Sequence, residues 1–161
     1  TMGDASGVGP EILLRAYAAG ELGGDVVAVG DLAILDLCNR RLDCGVALAR
    51  VGSVPPVEAR PAATALPALP VLDLGRLAEA DLRIGEITAA SGAAALAYVE
   101  RATRLAIAGD VAAIVTLPIN KAATRLTTPR AWCALAMSAS NGCGPGARCD
   151  SSISRRPVAP V

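Results

Sequence analysis

The 161-residue sequence has no histidine and no phenylalanine, a single lysine and a single tryptophan, and aromatic residues make up only 2% of it. Without histidine there is no imidazole to ligate a metal or to take a proton near neutral pH. The scarcity of aromatics, and the replacement of lysine by arginine, fit a GC-rich coding bias better than any function. Charge imbalance is absent too: fifteen basic and fifteen acidic residues leave a net charge of zero, so nothing points to nucleic acid or to an acidic partner. No apolar run reaches the ~18–20 residues needed to cross a bilayer. No signal-peptide pattern opens the chain, and a cytoplasmic protein without membrane contact is expected. The chain starts at Thr1 with no methionine, and residues before it are expected to be missing. Cysteine occurs five times, at 38, 44, 133, 143 and 149, without C-x-x-C spacing. Cys38 and Cys44 read as ordinary reduced thiols.

What the chain does have is an apolar fraction of 53%, enough for one domain with a core, and a dense opening stretch. Thr1 to Glu11 packs Gly3, Gly7 and Gly9, the carboxylate of Asp4 and then Pro10 into eleven residues. Glycines so spaced let backbone bend tightly or approach a ligand where a Cβ would clash. Pro10 suits the first helical position and Glu11 the first turn. Ile12 to Ala19 continues as helix, with Gly20 as its stop. A glycine loop feeding a helix N-terminus either faces an anionic ligand or is only a tight connection. The spacing is neither G-x-G-x-x-G nor a P-loop.

Further on, Asp25–Gly30 reads as a buried strand and Asp31 as the N-cap of a helix over 32–41, with Leu32, Leu35 and Cys38 or Asn39 on one face. Val46–Val51 is a second strand. Pro55 to Pro70 holds five prolines, which predicts a surface crossing or linker, followed by a short strand over Val71–Leu74. Ser91 is expected to cap a helix over Gly92–Ala108 with an apolar stripe of Leu96, Val99, Thr103, Ala106 and Ile107. Gly109 ends it, and Glu100 and Arg104 form an i,i+4 pair. Val111–Thr116 reads as a buried strand carrying Leu117–Lys121 at its carboxyl end, where open α/β sheets bind ligands. Lys121 is the only lysine; it is either a solvated surface cation or a point charge facing a ligand. The strand–helix rhythm indicates an α/β layer fold.

Three blocks carry a family resemblance: TMGDASGVGPEI at the start, GEITAASGAAA at 85–95 and AIVTLPINK at 113–121. In this order they resemble the 4-hydroxythreonine-4-phosphate dehydrogenase family, with Ala5-Ser6 where that family commonly has Pro-Ala. The resemblance implies the amino-terminal part, residues 1–121, of a three-layer α/β/α domain of the isocitrate/isopropylmalate dehydrogenase type. It implies NAD or NADP as cofactor and a divalent metal (Zn, Mg or Co). The implied reaction is oxidation of a small phosphorylated hydroxy acid, then loss of CO₂ to give 3-amino-2-oxopropyl phosphate for pyridoxal phosphate synthesis. A homodimer is implied as well. Asp4, Gly7, Gly9, Asn120 and Lys121 are the residues it places near substrate or cofactor. No catalytic residue is assigned, and no metal ligand: the family's metal-binding histidines have no counterpart here. Dehydrogenases of D-threonate or D-erythronate 4-phosphate share these blocks and are the alternative, with a non-catalytic truncated subunit or pseudogene product as the other.

After Lys121 the character changes. Up to that residue ten basic side chains face fourteen acidic ones, a net of −4; beyond it five arginines face Asp150 alone, a net of +4. Residues 122–161 read as a divergent, low-order tail. The family's next motif, Gly-His-Thr-Glu-aromatic-Leu, is missing, which a frame slip would explain: the bases of Ser140–Cys143 can encode Glu-Trp-Leu in the neighbouring frame. Reading the DNA beyond codon 121 tests this; a neighbouring frame is expected to restore Gly-His-Thr-Glu and a continuing family-like chain, and two empty frames reject the slip.

Overall fold

The computed structural model describes residues 1–22, 25–54 and 68–127. The expected tail therefore lies outside the described residues from residue 128 onward, and so do most of the proline-rich stretch and the bases proposed for the frame slip. The elements are α1 (Gly9–Ala18), β1 (Ala28–Gly30), α2 (Leu32–Leu42), β2 (Leu48–Val51), β3 (Leu69–Asp73), a 3₁₀ turn (Glu79–Asp81), α3 (Ala89–Ala108) and α4 (Lys121–Thr127). The strands form a parallel sheet in the order β1-β3-β2. This is the mixed α/β architecture that the strand–helix rhythm indicates. Ala122–Thr127 are helical, so the change of character expected at Lys121 does not interrupt local structure there.

Two further segments, not themselves strands, are hydrogen-bonded beside β1. The Met2 amide donates to the Val29 carbonyl at 3.0 Å. On the other side, the Thr1 amino group donates to Val115 and the Leu117 amide donates to Thr1, at 2.6 and 3.3 Å. Asp4 then donates to Pro118 at 2.9 Å, so 1–4 and 115–118 run parallel. Val111–Thr116 is expected to be a buried strand, yet no strand forms there: the segment is irregular, Ala112–Thr116 are exposed and Val115 is 75% exposed.

β1 begins three residues later than expected, and β3 explains why. Leu69 donates to Ala47 of the β2 side at 2.8 Å, and Leu74 donates to Gly30 of the β1 side at 2.9 Å. Amides alternate along a strand, so position 70 faces β1, opposite Val27 in the register that pairs Ala28 with Val71. Proline has no N–H to give there, and pairing starts one residue on. Pro70 itself, read as linker, is part of the central strand. β2 is also shorter than expected, because Asn39 takes the Val46 backbone with its side-chain amide, donating at 2.7 Å and accepting at 3.1 Å.

Helix ends follow the sequence closely. Gly20 has φ +72°, its amide donates to Tyr17, and Glu21 donates to Ala16, the paired bonds of a Schellman stop. α3 starts at Ala89, three residues earlier than expected. Thr88 is its cap: its hydroxyl accepts the Ser91 amide at 3.1 Å, and the Ser91 hydroxyl donates back to the Thr88 carbonyl at 3.2 Å. The buried face of α3 is Ser91, Gly92, Ala94, Ala95, Tyr98, Ala102 and Leu105 rather than the expected aliphatic stripe, and Ile107 is 71% exposed. Small residues win that face because neighbours approach closely: a Cβ on Gly92 would lie 2.2 Å from the Ala123 carbonyl oxygen of α4. The Glu100–Arg104 pair forms on the solvent side, where it adds little.

Tyr98, Met2, Leu14, Ile34, Leu35, Leu69 and Val71 are fully buried, each aliphatic stabilising the fold by roughly 1.5–3 kcal/mol. Two carboxylates organise the carboxyl end of the sheet by exchanging targets. Asp31 precedes α2 but does not cap it with its side chain; Asp73 does, accepting the Leu32 amide at 3.0 Å. Asp31 instead accepts the Arg76 and Leu77 amides at 2.9 and 2.7 Å, and the Tyr98 hydroxyl at 2.6 Å.

Burial, and then the Asp31 hydrogen bond, push the Tyr98 phenol far above its ordinary value of 10.0. A raised folded pKa favours the neutral phenol. Its contribution is therefore whole below pH about 10 and lost as pH rises above that, by up to about 1.4 kcal/mol per unit. Tyr98→Phe is expected to cost about 1.5–3 kcal/mol in urea unfolding at pH 7 and to flatten the alkaline fall. An unchanged alkaline limb would show that Tyr98 is not its source.

Candidate functional site

The opening loop is built around close backbone approaches. Gly3 has φ +70°, and a Cβ on it would stand 2.6 Å from the Pro118 carbonyl oxygen. Only glycine fits both the angle and the space. Asp4 then turns the chain: its carboxylate accepts the Ser6 amide at 3.0 Å, and its carbonyl accepts the Gly7 amide at 3.1 Å, an Asx-type turn. The Ser6 carbonyl accepts the Gly85 amide at 2.8 Å. All three sequence blocks therefore meet: the loop touches the 113–121 block at Pro118 and the 85–95 block at Gly85.

α1 follows with Pro10 in its second position, because Gly9 is already helical. The five candidate residues fall into two groups. Asp4 is buried, at 5% exposure, and occupied by its own turn. Gly9 is buried, and a Cβ on it would lie 2.2 Å from the Met2 carbonyl oxygen. Asn120 caps α4, its side-chain oxygen accepting the Ala122 and Ala123 amides at 2.9 and 3.2 Å. These three have packing or capping roles that account for their identity. Gly7 and Lys121 have none. Gly7 is exposed and keeps no positive φ, and a Cβ there would make only an ordinary contact, 3.5 Å from the Asp4 carbonyl oxygen. Lys121 is exposed and makes no ion pair among the described residues.

No group of three or more His, Cys, Asp or Glu side chains is placed to hold a metal ion among the described residues. No helix among them is long and apolar enough to cross a membrane. Cys38 and Cys44 are free and half-buried, and burial raises the Cys38 thiol, which makes it a poor nucleophile. Sequence reasoning missed the Asp31–Tyr98 contact, which spans 67 residues and leaves no local signal. A cavity of about 470 Å³ lies elsewhere, between α1, the start of β1 and the 111–117 segment. It holds none of the candidate residues, and its lining is apolar apart from Thr1 and Asp25, without the convergent polar groups of a small-molecule site.

Residues 24–131 match the family of the pyridoxal phosphate biosynthetic protein PdxA. The D-threonate 4-phosphate dehydrogenase of Salmonella typhimurium is 37% identical over 128 residues, covering 78% of this chain and 38% of the relative. The 4-hydroxythreonine-4-phosphate dehydrogenase of Trichlorobacter lovleyi is 36% identical over 129 residues, covering 76% of this chain and 36% of the relative. The crystal structure of a 4-hydroxythreonine-4-phosphate dehydrogenase from Burkholderia phymatum superposes with a TM-score of 0.66 at 30% identity, over 77% of this chain and 36% of that one. The chain spans little more than a third of the length of these relatives. With two-thirds of its residues inside the family match and the three sequence blocks gathered at one loop, the chain belongs to the PdxA family of dehydrogenases.

Proposed function

We propose that this chain supplies the glycine-loop part of the site of an NAD- or NADP-dependent dehydrogenase for a small hydroxy acid bearing a 4-phosphate. The observation that carries the reading is the junction of the three blocks, Asp4 to Pro118 and Ser6 to Gly85. It puts the exposed Gly7–Val8 backbone at the start of α1, whose dipole favours an anion. Lys121 offers a point charge suited to phosphate. The substrate is 4-hydroxythreonine 4-phosphate, oxidised at its secondary alcohol and then decarboxylated to 3-amino-2-oxopropyl phosphate. D-Threonate or D-erythronate 4-phosphate is the second reading, favoured by relatives of both names at nearly equal identity. The complete enzyme is a cytoplasmic homodimer with the three-layer fold of isocitrate and isopropylmalate dehydrogenases.

A divalent metal has no fitting donor set among the described residues. There is no histidine, the described carboxylates form no cluster, and Asp4 is committed to its own turn. No step is therefore assigned to a metal held here, and the chain alone is a non-catalytic part.

The purified 161-residue chain is expected to produce no NADH or NADPH from either phosphorylated acid; metal- and NAD-dependent turnover by it would overturn this. A chimaera carrying the part of the S. typhimurium relative that this chain does not match is expected to oxidise one of them, and to stop when EDTA removes the metal. In that chimaera Lys121→Ala is expected to raise KM at least ten-fold, and an unchanged KM removes Lys121 from the site.

The glycines separate in the same way. Gly9→Ala is expected to cost about 1–3 kcal/mol or more in urea unfolding, as overpacking against fixed backbone does. Gly7→Ala is expected to change stability by less than about 0.5 kcal/mol while weakening substrate binding by the chimaera. Equal loss of stability in both variants would return Gly7 to a structural role.

A further inference from the structure

We propose that the Ser6 hydroxyl is a substrate-binding group, which accepts a hydroxyl or ammonium hydrogen of the small phosphorylated acid held at the glycine loop. That the ligand is this acid rests on the function proposed above.

The backbone of Ser6 is fixed from both sides. Its amide donates to the Asp4 carboxylate at 3.0 Å, and its carbonyl accepts the Gly85 amide at 2.8 Å. Ser6 is also the third residue of the turn that the Gly7 amide closes on the Asp4 carbonyl. With its Cβ held in place, the reach of the hydroxyl is set by a single side-chain rotation. A group placed in advance of its ligand loses little freedom on binding it.

Within the fold this hydroxyl is left over. Among the described residues four buried ones carry a hydroxyl: Ser6, Ser91, Tyr98 and Thr124. Ser91 donates to the Thr88 carbonyl, Tyr98 to the Asp31 carboxylate and Thr124 to the Lys121 carbonyl. Ser6, 4% exposed, has no side-chain partner. A buried hydroxyl so left is costly to the fold. A serine this near a helix start would ordinarily cap it, yet α1 has no side-chain cap. Of the described side-chain oxygens and nitrogens, only that of Thr1 is both fully enclosed and unpartnered. The Ser6 oxygen therefore stands at an opening, in the residue directly before the exposed Gly7–Val8 backbone.

Charge selects what the oxygen takes. Asp4, 5% exposed, sets its carboxylate on the Ser6 amide and so puts a negative charge beside the site. A second oxyanion there is repelled, whereas the hydrogen of a hydroxyl or ammonium is attracted, and a serine oxygen accepts it. The acids proposed above carry such groups on carbons 2 and 3. They are an ammonium and a hydroxyl in 4-hydroxythreonine 4-phosphate, and two hydroxyls in D-threonate 4-phosphate. Their phosphate is left to the start of α1 and to Lys121.

The test is titration of the isotope-labelled 161-residue chain, read by the NMR shifts of the Gly7, Val8 and Gly85 amides at constant ionic strength. The probes are 4-hydroxythreonine 4-phosphate, D-threonate 4-phosphate and sulfate, which has no hydrogen to give. Both acids are expected to shift these amides saturably. Ser6→Ala is expected to weaken binding of an acid about five-fold, the size of one neutral hydrogen bond, and to leave sulfate binding within about two-fold. Loss confined to the first acid assigns the ammonium to Ser6, loss confined to the second assigns the carbon-2 hydroxyl, and equal loss assigns the carbon-3 hydroxyl that both carry. The urea midpoint of Ser6→Ala is expected to be unchanged or raised, since the fold makes no bond to the oxygen removed.

Three results would overturn the proposal: no saturable shift with either acid; equal affinity of both acids for the variant; or a lowered urea midpoint, which would return the hydroxyl to a structural role. The second of these leaves the loop as an anion site and removes Ser6 from it. Acids that depend on Ser6 while sulfate leaves the loop unshifted support the Ser6 site and count against the anion reading alone.

Discussion

Met2 can lie against β1 only because no side chain stands at Gly9 or Gly30. A Cβ on Gly9 would reach 2.2 Å from the Met2 carbonyl oxygen, and one on Gly30 would reach 2.3 Å from the Met2 sulfur. Interiors this close-packed have no slack for an added methyl group. With both positions empty, Met2 is fully buried, its amide bonds to β1 and its sulfur accepts the Asp31 amide at 3.4 Å. Everything at the loop follows from that threading. Gly3 is brought against Leu117 and Pro118, Asp4 turns the chain, and Ser6 is delivered to Gly85. The opening glycines serve the backbone's own packing first.

The same logic of mutual placement holds the far end of β1 and β3. Asp31 and Asp73 stand at the ends of neighbouring strands, and each carboxylate accepts the amide of a segment leaving the other strand or its own. Asp73 also takes the Gly75 amide at 3.2 Å and pairs with Arg50 at 2.7 Å. Asp31, 1% exposed, carries three donors. A buried carboxylate is tolerable only when so fully satisfied. Tyr98 thereby ties α3 to the strand ends, and the helix orients by its phenol rather than by its largest aliphatic side chains.

That is also where the sequence stops being readable. α1, its Gly20 stop, the basic end of α2 and the Glu100–Arg104 pair depend on residues within five positions of one another, and local rules find them. The three blocks were legible as well, through resemblance, but their meeting at one loop was not. The buried face of α3 was not, because it is chosen by Asp31 and Ala123, residues far off in the chain. Thr88 was passed over for Ser91 since both are good caps, and only the hydrogen bonds between them show which one lies outside the helix. Pro70 looked like a linker residue because its neighbours in sequence are prolines; its place in β3 depends on the register with β1. Burial of 111–116 was inferred from apolar composition, which records what a segment can be packed against and not whether that neighbour is present.

The candidate site residues divide along the same line between local and distant causes, and the division bears on function. A residue whose identity is fully explained by the fold carries no separate evidence for a ligand. Gly9 is needed for Met2, Asn120 for the first turn of α4, and Asp4 for the turn into α1. Gly7 and Lys121 are left: one exposed backbone position where a methyl group would fit, and the one ammonium in an arginine-rich chain. Among the described residues neither has a packing or capping role that accounts for it, so functional weight falls on them. Two such groups can hold an anionic substrate but cannot polarise its alcohol or take its hydride.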